Sequence, residues 1–207
     1  MNEARGPAYR IITKRLILRC WEPKDAALLK ASIDESLEHL LPWMIWAQNE
    51  PQTIEQKVEL IRLFRSQFDS DQDYSYAIFN LDQTRALGGT GLHKRSEPGG
   101  MEIGYWIHKD FVNQGFATEA SAALTKVAFE VHKTQRLEIY CAPENVGSAA
   151  VPRKLGFTHE ATLHNRAKRP NGFNDSMIWT LFAEDYSASL AANAEIEAFD
   201  AAGQKLV

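Results

Sequence analysis

The chain has 207 residues, 44% of them hydrophobic, and its formal net charge at pH 7 is -4. This length suits one domain that buries a substantial core. Its 27 acidic residues outnumber its 23 lysines and arginines, which argues against direct binding of nucleic acid or of an anionic membrane. There is no apolar run of the roughly eighteen residues that a membrane span needs. The first residues also lack the apolar core of a signal peptide, so we expect a cytoplasmic protein.

The residue types that bind metals show no pattern typical of a metal site. Cys20 and Cys141 fall in strand-like stretches, which predicts buried thiols rather than a disulfide or a redox pair. The six histidines show neither the HExxH spacing nor a CxxC partner. We therefore predict that no metal is bound.

The first third of the chain begins with a polar segment, residues 1–10, that we expect to be flexible. A strand is predicted from Ile12 to Trp21 by its apolar and β-branched residues. Pro23 suits the first position of a helix, and apolar residues recur at helical spacing up to Leu41, before Pro42 ends the pattern.

A loop with two tryptophans, Pro42–Pro51, leads to a second helix. Thr53 followed by Gln56 has the spacing of a capping box, and an apolar stripe continues to Phe68. Two strands joined by a short turn, Tyr74–Leu81 and Ala86–Arg95, are then predicted as a hairpin.

The centre of the chain reads as a strand, a helix and a second strand. Met101–His108 alternates and is rich in β-branched and aromatic residues, whereas Ala117–Val131 has one apolar stripe at helical spacing. Arg136–Ala142 is the next strand. Since a strand-helix-strand crossover normally makes its two strands parallel neighbours, we predict one parallel pair here.

The turn before this helix, residues 113–118, is a candidate anion site. Its residues are small or neutral, and Glu119 is the first acidic side chain. The first N–H groups of a helix have no partner inside it and lie at the positive end of its dipole, so a phosphate is a suitable guest. Gly115 is equally well explained by the turn's conformation alone. Neither a Gly-Lys-Ser/Thr nor a GxGxxG motif is present to choose between these readings.

The last third contains a predicted short helix, Asn145–Leu155, and two further strands, Thr158–Lys168 and Asn174–Phe182. The result is an α/β fold with a mixed sheet of about seven mostly antiparallel strands and helices on both faces. Of the tail, Ala183–Ala194 is predicted as a short helix, and Ile196–Val207 resembles a hairpin that would cover a sheet edge or pair with another subunit.

Two motifs in these elements resemble a known family. The stretch IGYWIHKDFVNQGFATEA is similar to the acetyl-CoA pyrophosphate loop of the GNAT N-acetyltransferase superfamily, whose consensus is Gln/Arg-x-x-Gly-x-Gly/Ala. Gly115 and Ala117 match, whereas Val112 replaces Gln or Arg and Asn113 stands where many relatives have glycine. Asn145–Phe157 resembles the Asn-x-x-Ser…LGF segment of the RimJ/RimL-like branch, which acetylates the N-termini of ribosomal proteins.

The resemblance extends to Thr13–Arg19 and Leu41–Ala47, and so covers roughly residues 10–183. It implies a GNAT domain over residues 11–183 and an additional C-terminal extension over residues 184–207. It also implies that the strands Glu102–Ile107 and Leu137–Cys141 splay apart to admit the pantetheine arm of acetyl-CoA. The cofactor residues that it implies are Tyr105, Ile107, Asn113, Gln114, Gly115, Phe116, Ala117, Thr118, Asn145 and Ser148.

The reaction implied is direct attack of a primary amine on the thioester, with an N–H donor for the oxyanion on the strand that contains Tyr105 and a hydroxyl donor for the departing thiolate. Ser148 matches the family serine that hydrogen-bonds the sulfur, because the tyrosine used elsewhere in the family would fall at Pro152. Without the family resemblance, the position of Ser148 three residues after Asn145 at a helix start would be interpreted as that of a helix-capping residue. Glu102 is the candidate base, although a strand glutamate of this kind often only faces solvent.

Other side chains are candidates for binding the acceptor or for acid–base catalysis. Trp43 and Trp46 resemble the aromatic pair that lines the acceptor pocket in this branch, while each alone could equally anchor its loop to the core. The weaker acid–base candidates are His108, His164 and Asp175, followed by His93.

The function implied is an acetyl-CoA-dependent N-acetyltransferase that acts on a primary amine through a tetrahedral intermediate. The acceptor is either a protein N-terminal α-amine or a small-molecule amine. An alternative is a non-catalytic CoA-binding sensor or interaction module, which the departures at Val112 and Asn113 keep open. A homodimer and a monomer are both compatible with the sequence.

Overall fold

The computed structural model describes residues 6–94, 99–169 and 172–207. Its strands are β1 (Arg10–Ile12), β2 (Leu16–Cys20), β3 (Asp73–Asn80), β4 (Ala86–His93), β5 (Gly100–Ile107), β6 (Arg136–Cys141), β7 (Thr158–Arg169), β8 (Gly172–Phe182) and β9 (Glu197–Phe199). Its helices are α1 (Ala26–Leu40), α2 (Ile54–Asp69), α3 (Phe116–Glu130), α4 (Val146–Leu155) and α5 (Ala183–Tyr186). Short 3-10 turns precede α1, follow β5 and occupy Ile45–Asn49 and Leu190–Asn193.

All nine strands described form one sheet, in the order β7-β8-β6-β5-β4-β3-β2-β1-β9. Only β5 and β6 are paired in parallel, and the other neighbours are antiparallel. The predicted mixed sheet is therefore confirmed, but the predicted count of about seven strands is wrong. The single strand predicted from Ile12 to Trp21 is in fact β1 and β2, because Thr13 makes a tight turn with Leu16. The N–H of Thr13 donates to the carbonyl of Leu16 at 3.0 Å, and the N–H of Leu16 donates to Thr13 Oγ1 at 3.0 Å.

Helices cover both faces of the sheet. α3 buries the stripe that its spacing predicted, with Ala120, Leu124 and Val127 fully shielded from solvent, and each large aliphatic side chain so buried stabilises the fold by about 1.5–3 kcal/mol. On the opposite face, α1 and α2 pack over a second cluster of buried residues. The capping box of α2 is confirmed, since the N–H of Gln56 donates to Thr53 Oγ1 and the N–H of Thr53 donates to Gln56 Oε1.

The two ends of the chain meet at one edge of the sheet. β9 pairs with β1, and the bridge between Phe199 and Lys205 continues the tail along β9. The extension therefore covers the edge that β1 would otherwise expose. The helix predicted over Ala183–Ala194 is present only as α5 and one 3-10 turn. In the N-terminal segment, Ala8 is buried and Arg10 already belongs to β1, so the described part of residues 1–10 packs on the sheet.

The two cysteines lie in the strands in which the sequence placed them. Cys20 and Cys141 are buried thiols, as predicted, and burial raises the pKa of Cys20 to about 12. Residues 1–5, 95–98, 170 and 171 lie outside the described residues, and so does the last residue of the predicted strand Ala86–Arg95. Among the described helices, none combines the length and the apolar character needed to cross a membrane.

Candidate active site

The candidate active site lies where the two parallel strands part. β5 and β6 pair at three positions, and the last of these joins Glu102 to Glu138. Both strands continue beyond this point, β5 to Ile107 and β6 to Cys141. Within the described chain, the edge of β5 that faces β6 therefore has no strand partner from Ile103 onward, and a cleft opens between the two strands as predicted.

The loop after β5 brings backbone N–H groups to one end of this cleft. Asn113 and Gly115 have φ angles of 60° and 82°, a region that favours glycine, and Gly115 is the N-cap of α3. The N–H groups of residues 116–118 point out of the first turn, at the positive end of the helix. The glycine cap has no side chain that could accept hydrogen bonds from them. Asn113, Gln114 and Gly115 are exposed. This arrangement suits a phosphate group.

The first turn of α3 is fastened to the β1–β2 turn by an ion pair that sequence reasoning missed. Arg15 Nε donates to Glu119 Oε2 at 2.6 Å, and its Nη1 donates to the carbonyl of Gln114 at 3.0 Å. The other oxygen of Glu119 accepts from Thr13 Oγ1 and from the N–H of Arg15. The guanidinium also lies over the ring of Phe116, at 4.4 Å from its centroid. These contacts hold the Glu119 carboxylate away from the exposed N–H groups, where its charge would repel a phosphate.

A pair of hydroxyl groups bridges the cleft on the side of α4. Asn145 is the N-cap of α4, and its Oδ1 accepts from the N–H of Ser148 at 3.0 Å. The hydroxyl of Tyr105, from β5, lies 3.0 Å from both Ser148 Oγ and the Ser148 carbonyl oxygen. Burial raises the pKa of Tyr105 well above its ordinary value, so the phenol keeps its proton. Sequence reasoning had assigned only backbone groups to Tyr105, and the partnership of the two side chains was not anticipated.

An open cavity of about 860 Å³ extends from Ser148 along β5 to the loop between α1 and α2. Trp43, Trp46, Glu102 and Tyr105 line it, as do Asn145 and Ser148, so the structure brings the predicted acceptor and base residues together with three of the predicted cofactor residues. The other predicted cofactor residues, Ile107 and 113–118, do not line this cavity. The ring of Trp46 packs edge-to-face on Trp106, with 6.0 Å between their centroids. The 3-10 turn that carries Trp46 is followed by Glu50, whose carboxylate forms a fully buried ion pair with Lys57 of α2.

His93, the least favoured of the sequence candidates, also lines this cavity, and its Nδ1 lies 2.8 Å from Asp73 Oδ1. The other weak candidates do not line it. His164 and Asp175 pair with each other at 2.9 Å on the exposed β7–β8 hairpin. Of the four weaker candidates, His93 is therefore the one that the structure places in the cavity.

A cluster of three possible metal ligands lies in the described part of the chain. It consists of Glu35, His108 and Asp110, whose ligand atoms lie within 4.8 Å of one another. The buried ring of His108 already has partners on both nitrogens. Its Nδ1 accepts from the N–H of Asp110 at 3.2 Å, which places the remaining ring hydrogen on Nε2, 3.1 Å from Glu35 Oε2. The ring is therefore explained as a cap of the short turn after β5.

This geometry can be compared with known proteins. A family model described as "Acetyltransferase (GNAT) domain" matches residues 15–158. YdaF of Bacillus subtilis (strain 168), named as a ribosomal N-acetyltransferase, is 30% identical over 169 residues, which cover 81% of this chain and 91% of that protein.

Two solved structures share the fold. RimL, described as a ribosomal L7/L12 alpha-N-protein acetyltransferase in complex with coenzyme A, has a TM-score of 0.75 at 21% identity and covers 83% of this chain and 96% of its own. RimJ of Mycobacterium smegmatis, in complex with CoA-disulfide, has a TM-score of 0.77 at 23% identity and covers 91% of each chain. Since the family model spans most of the chain, and the loop, cleft and cavity lie where the resemblance implied, the chain belongs to the GNAT acetyltransferase family, in its RimJ/RimL-like branch of N-acetyltransferases.

Proposed function

We propose that the chain transfers the acetyl group of acetyl-CoA to a primary amine by direct attack on the thioester. The observation that carries this proposal is the continuity of the cavity, which joins Ser148 in the cleft to the tryptophans of the α1–α2 loop. The cofactor would enter from the α3 end of the cleft and the amine from the tryptophan end. The two reactants would therefore meet along β5 without competing for space.

The cofactor end is supported by the free edge of β5 and by the loop before α3. Pantetheine amides would pair with backbone groups of Tyr105 and Ile107, as an added strand does. The diphosphate would lie on the loop, whose proposed contacts are Asn113, Gln114, Gly115, Phe116, Ala117 and Thr118. Asn145 contributes by capping α4, which fixes the position of Ser148. RimL and RimJ, which share this fold, are described as complexes with CoA or CoA-disulfide, and this supports a CoA thioester as the cofactor class.

The thiolate that leaves in the reaction needs a donor, and Ser148 is the proposed one. The single hydrogen of the Tyr105 hydroxyl can be donated to the Ser148 carbonyl or to Ser148 Oγ. When it is donated to Oγ, the hydrogen of Ser148 is free to point into the cleft toward the sulfur. Because Tyr105 stays protonated, it keeps this hydrogen to donate throughout the pH range of an assay. The oxyanion of the tetrahedral intermediate would take an N–H from the free edge of β5.

The amine end is supported by the chemistry of the cavity lining. Glu102 offers a negative charge that attracts an ammonium group, and it is the carboxylate that the sequence proposed as proton acceptor. Trp43 and Trp46 offer large apolar surfaces on which the first residues of a peptide can pack. RimL is described as acting on an α-amine of a ribosomal protein, and YdaF is named for ribosomal proteins. We therefore propose a protein N-terminal α-amine as the acceptor class.

The experiment is a thiol-release assay with purified protein, acetyl-CoA and a panel of peptides with free N-termini, beside the same peptides blocked by N-terminal formylation. We expect free CoA and an equal amount of acetylated peptide only with the free N-termini. Calorimetry measures acetyl-CoA binding in parallel. Tight binding with no transfer to any peptide or small amine would favour the sensor alternative, and absence of binding would reject both functions.

A further inference from the structure

Three ionisable residues form a row across the sheet at the position where the cleft opens. Asp73 on β3 is paired with His93 on β4, and His93 is paired with Glu102 on β5. Residues directly opposite each other in a sheet share one face, so the three side chains project to the same side. Glu102 belongs to the last pair that β5 makes with β6. The row therefore lies immediately before the unpaired segment of β5.

The contacts of His93 define which ring nitrogen carries its hydrogen. Nδ1 lies 2.8 Å and 2.9 Å from the two carboxylate oxygens of Asp73. Because a carboxylate only accepts hydrogen bonds, Nδ1 must be the donor, and in the neutral ring Nε2 carries the lone pair. No described residue hydrogen-bonds Nε2, and only 13% of the side chain is exposed. Asp73 thus fixes the orientation of the ring through Nδ1, whereas the lone pair of Nε2 remains available to accept a proton.

The space around Nε2 is made by two glycines. A Cβ added at Gly91 would lie 2.7 Å from His93 Nε2, and one added at Gly104 would lie 3.2 Å from it. Gly91 and Gly104 are themselves paired across β4 and β5, two pairs further along than His93 and Glu102 and therefore on the same face of the sheet. Nε2 therefore reaches beyond its own row toward the unpaired part of β5, which is where the thioester is proposed to lie.

The other charged groups around this site are already accounted for. The charged residues that line the cavity, in the described chain, are Glu50, Asp73, Lys94 and Glu102. Glu50 is neutralised by Lys57, and Lys94 Nζ donates to the carbonyl oxygen of Asp71. Glu102 faces His93 across β4 and β5, and Glu138, which is paired with Glu102 across β5 and β6, forms an ion pair with Arg136.

We propose that His93 is the general base, oriented by Asp73, and that Glu102 attracts the incoming ammonium group. This inference rests on the proposed acetyl transfer. The ammonium group first releases one proton to solvent through His93, because only the neutral amine has a lone pair. The amine nitrogen then attacks the thioester carbon and forms the C–N bond, and the second proton that it loses passes to His93 Nε2. Collapse of the intermediate then breaks the C–S bond, and the sulfur leaves as CoA thiolate beside the hydroxyl of Ser148. The imidazolium is stabilised by Asp73 until it returns its proton to solvent or to the thiolate.

The test compares His93→Gln with Asp73→Asn and Glu102→Gln, and uses Ser75→Ala as a control, since Ser75 lines the same cavity on β3. The probe is the best peptide of the acceptor panel, assayed from pH 5.5 to 9 with saturating acetyl-CoA. We expect His93→Gln to lower kcat by about 10²- to 10³-fold and to remove the decline of activity toward low pH. Asp73→Asn should give a smaller loss, and Glu102→Gln should raise KM for the peptide while the acidic decline remains. All variants should bind CoA as the wild type does.

A second measurement does not depend on activity or on the folding of variants. The ¹⁵N resonances of the wild-type histidines report the tautomer of His93, and we expect hydrogen on Nδ1 in the neutral form. An Nε2–H tautomer would reject the proposal. So would a His93→Gln variant that keeps kcat within threefold of wild type, or loss of the acidic decline in Glu102→Gln instead. If wild-type protein transfers no acetyl group at all, the proposed function fails, whereas a fully active His93→Gln variant overturns only the role of His93.

Discussion

The two ends of the cleft are built in different ways. The cofactor end consists mainly of consecutive residues, 113–118, whose N–H groups converge because a helix begins there. The acceptor end is assembled from strands β3, β4 and β5 and from the α1–α2 loop, so its residues are far apart in sequence. A loop that binds a phosphate through backbone N–H groups can therefore be formed by one local motif. The row of Asp73, His93 and Glu102 forms only if three strands pair in the correct register. This difference also predicts that substitutions at one end leave the other end unaffected.

Outside the row formed by Asp73, His93 and Glu102, the largest effect is expected at Ser148, which lies between the two ends. Ser148→Ala removes the proposed donor to the sulfur and should lower kcat by about 10²-fold, the cost of one donor to developing charge. The KM for the amine and the affinity for CoA should stay close to wild type. Steady-state kinetics and calorimetry measure these quantities. A variant with unchanged kcat would contradict the donor role.

Tyr105→Phe provides the companion measurement. Because the two hydroxyls share one hydrogen bond, the double variant should lose less than the sum of the two single losses in free energy of activation. Fully additive losses would indicate that the pair does not act as a unit.

The second prediction asks whether the two ends unfold together. His132 follows α3 and packs at a tilt against Tyr74, which is adjacent to Asp73, with 4.7 Å between the ring centroids. Burial, assisted by Lys94, lowers the pKa of His132 to about 4. As pH falls from about 6.5 to 4, the unfolded chain binds a proton there that the folded chain does not, so stability is lost over this range. At pH 5 the loss should be about 2 kcal/mol relative to pH 7.5.

Urea unfolding at pH 7.5 and 5.0 measures this, with His132→Phe compared against the exposed control His39→Phe. The His132 variant should lose less stability on acidification than wild type, and the control should behave like wild type. Tryptophan fluorescence at the acceptor end and CoA binding at the cofactor end should be lost over the same urea range. Two separate transitions would show that the ends are independent folding units.

The smallest effect is expected at the cofactor end. Arg15→Met removes the ion pair with Glu119 and the contact to the Gln114 carbonyl. The dissociation constant of CoA should rise about tenfold, equivalent to about 1.4 kcal/mol. Activity with S-acetylpantetheine, which has no diphosphate, should stay unchanged. Lys14→Met is the matched control, because the neighbouring lysine is exposed. An equal loss with both acetyl donors would mean that Arg15 supports the fold rather than the diphosphate loop.

Much of the fold follows from local patterns. The apolar stripe of α3, the capping box of α2 and the Asn145–Ser148 cap of α4 depend on residues within a few positions of each other, and all are present. The predicted count of about seven strands missed two. One arises at Thr13, whose hydroxyl accepts from the N–H of Leu16 and turns the chain within an otherwise strand-like run, and the other is β9 in the tail. A short polar residue of this kind can turn or extend, and the pattern of apolar residues does not distinguish the two.

The sequence by itself determined the family resemblance, the order of the central strand, helix and strand, and the loop that can hold a phosphate, because these depend on neighbouring residues. Only the tertiary structure decided that Arg15 reaches Glu119 across 104 positions, that Tyr105 meets Ser148, and that His93 stands between Asp73 and Glu102. Those contacts depend on which strands pair and in which register. A slip of one residue would turn every such side chain to the opposite face of the sheet.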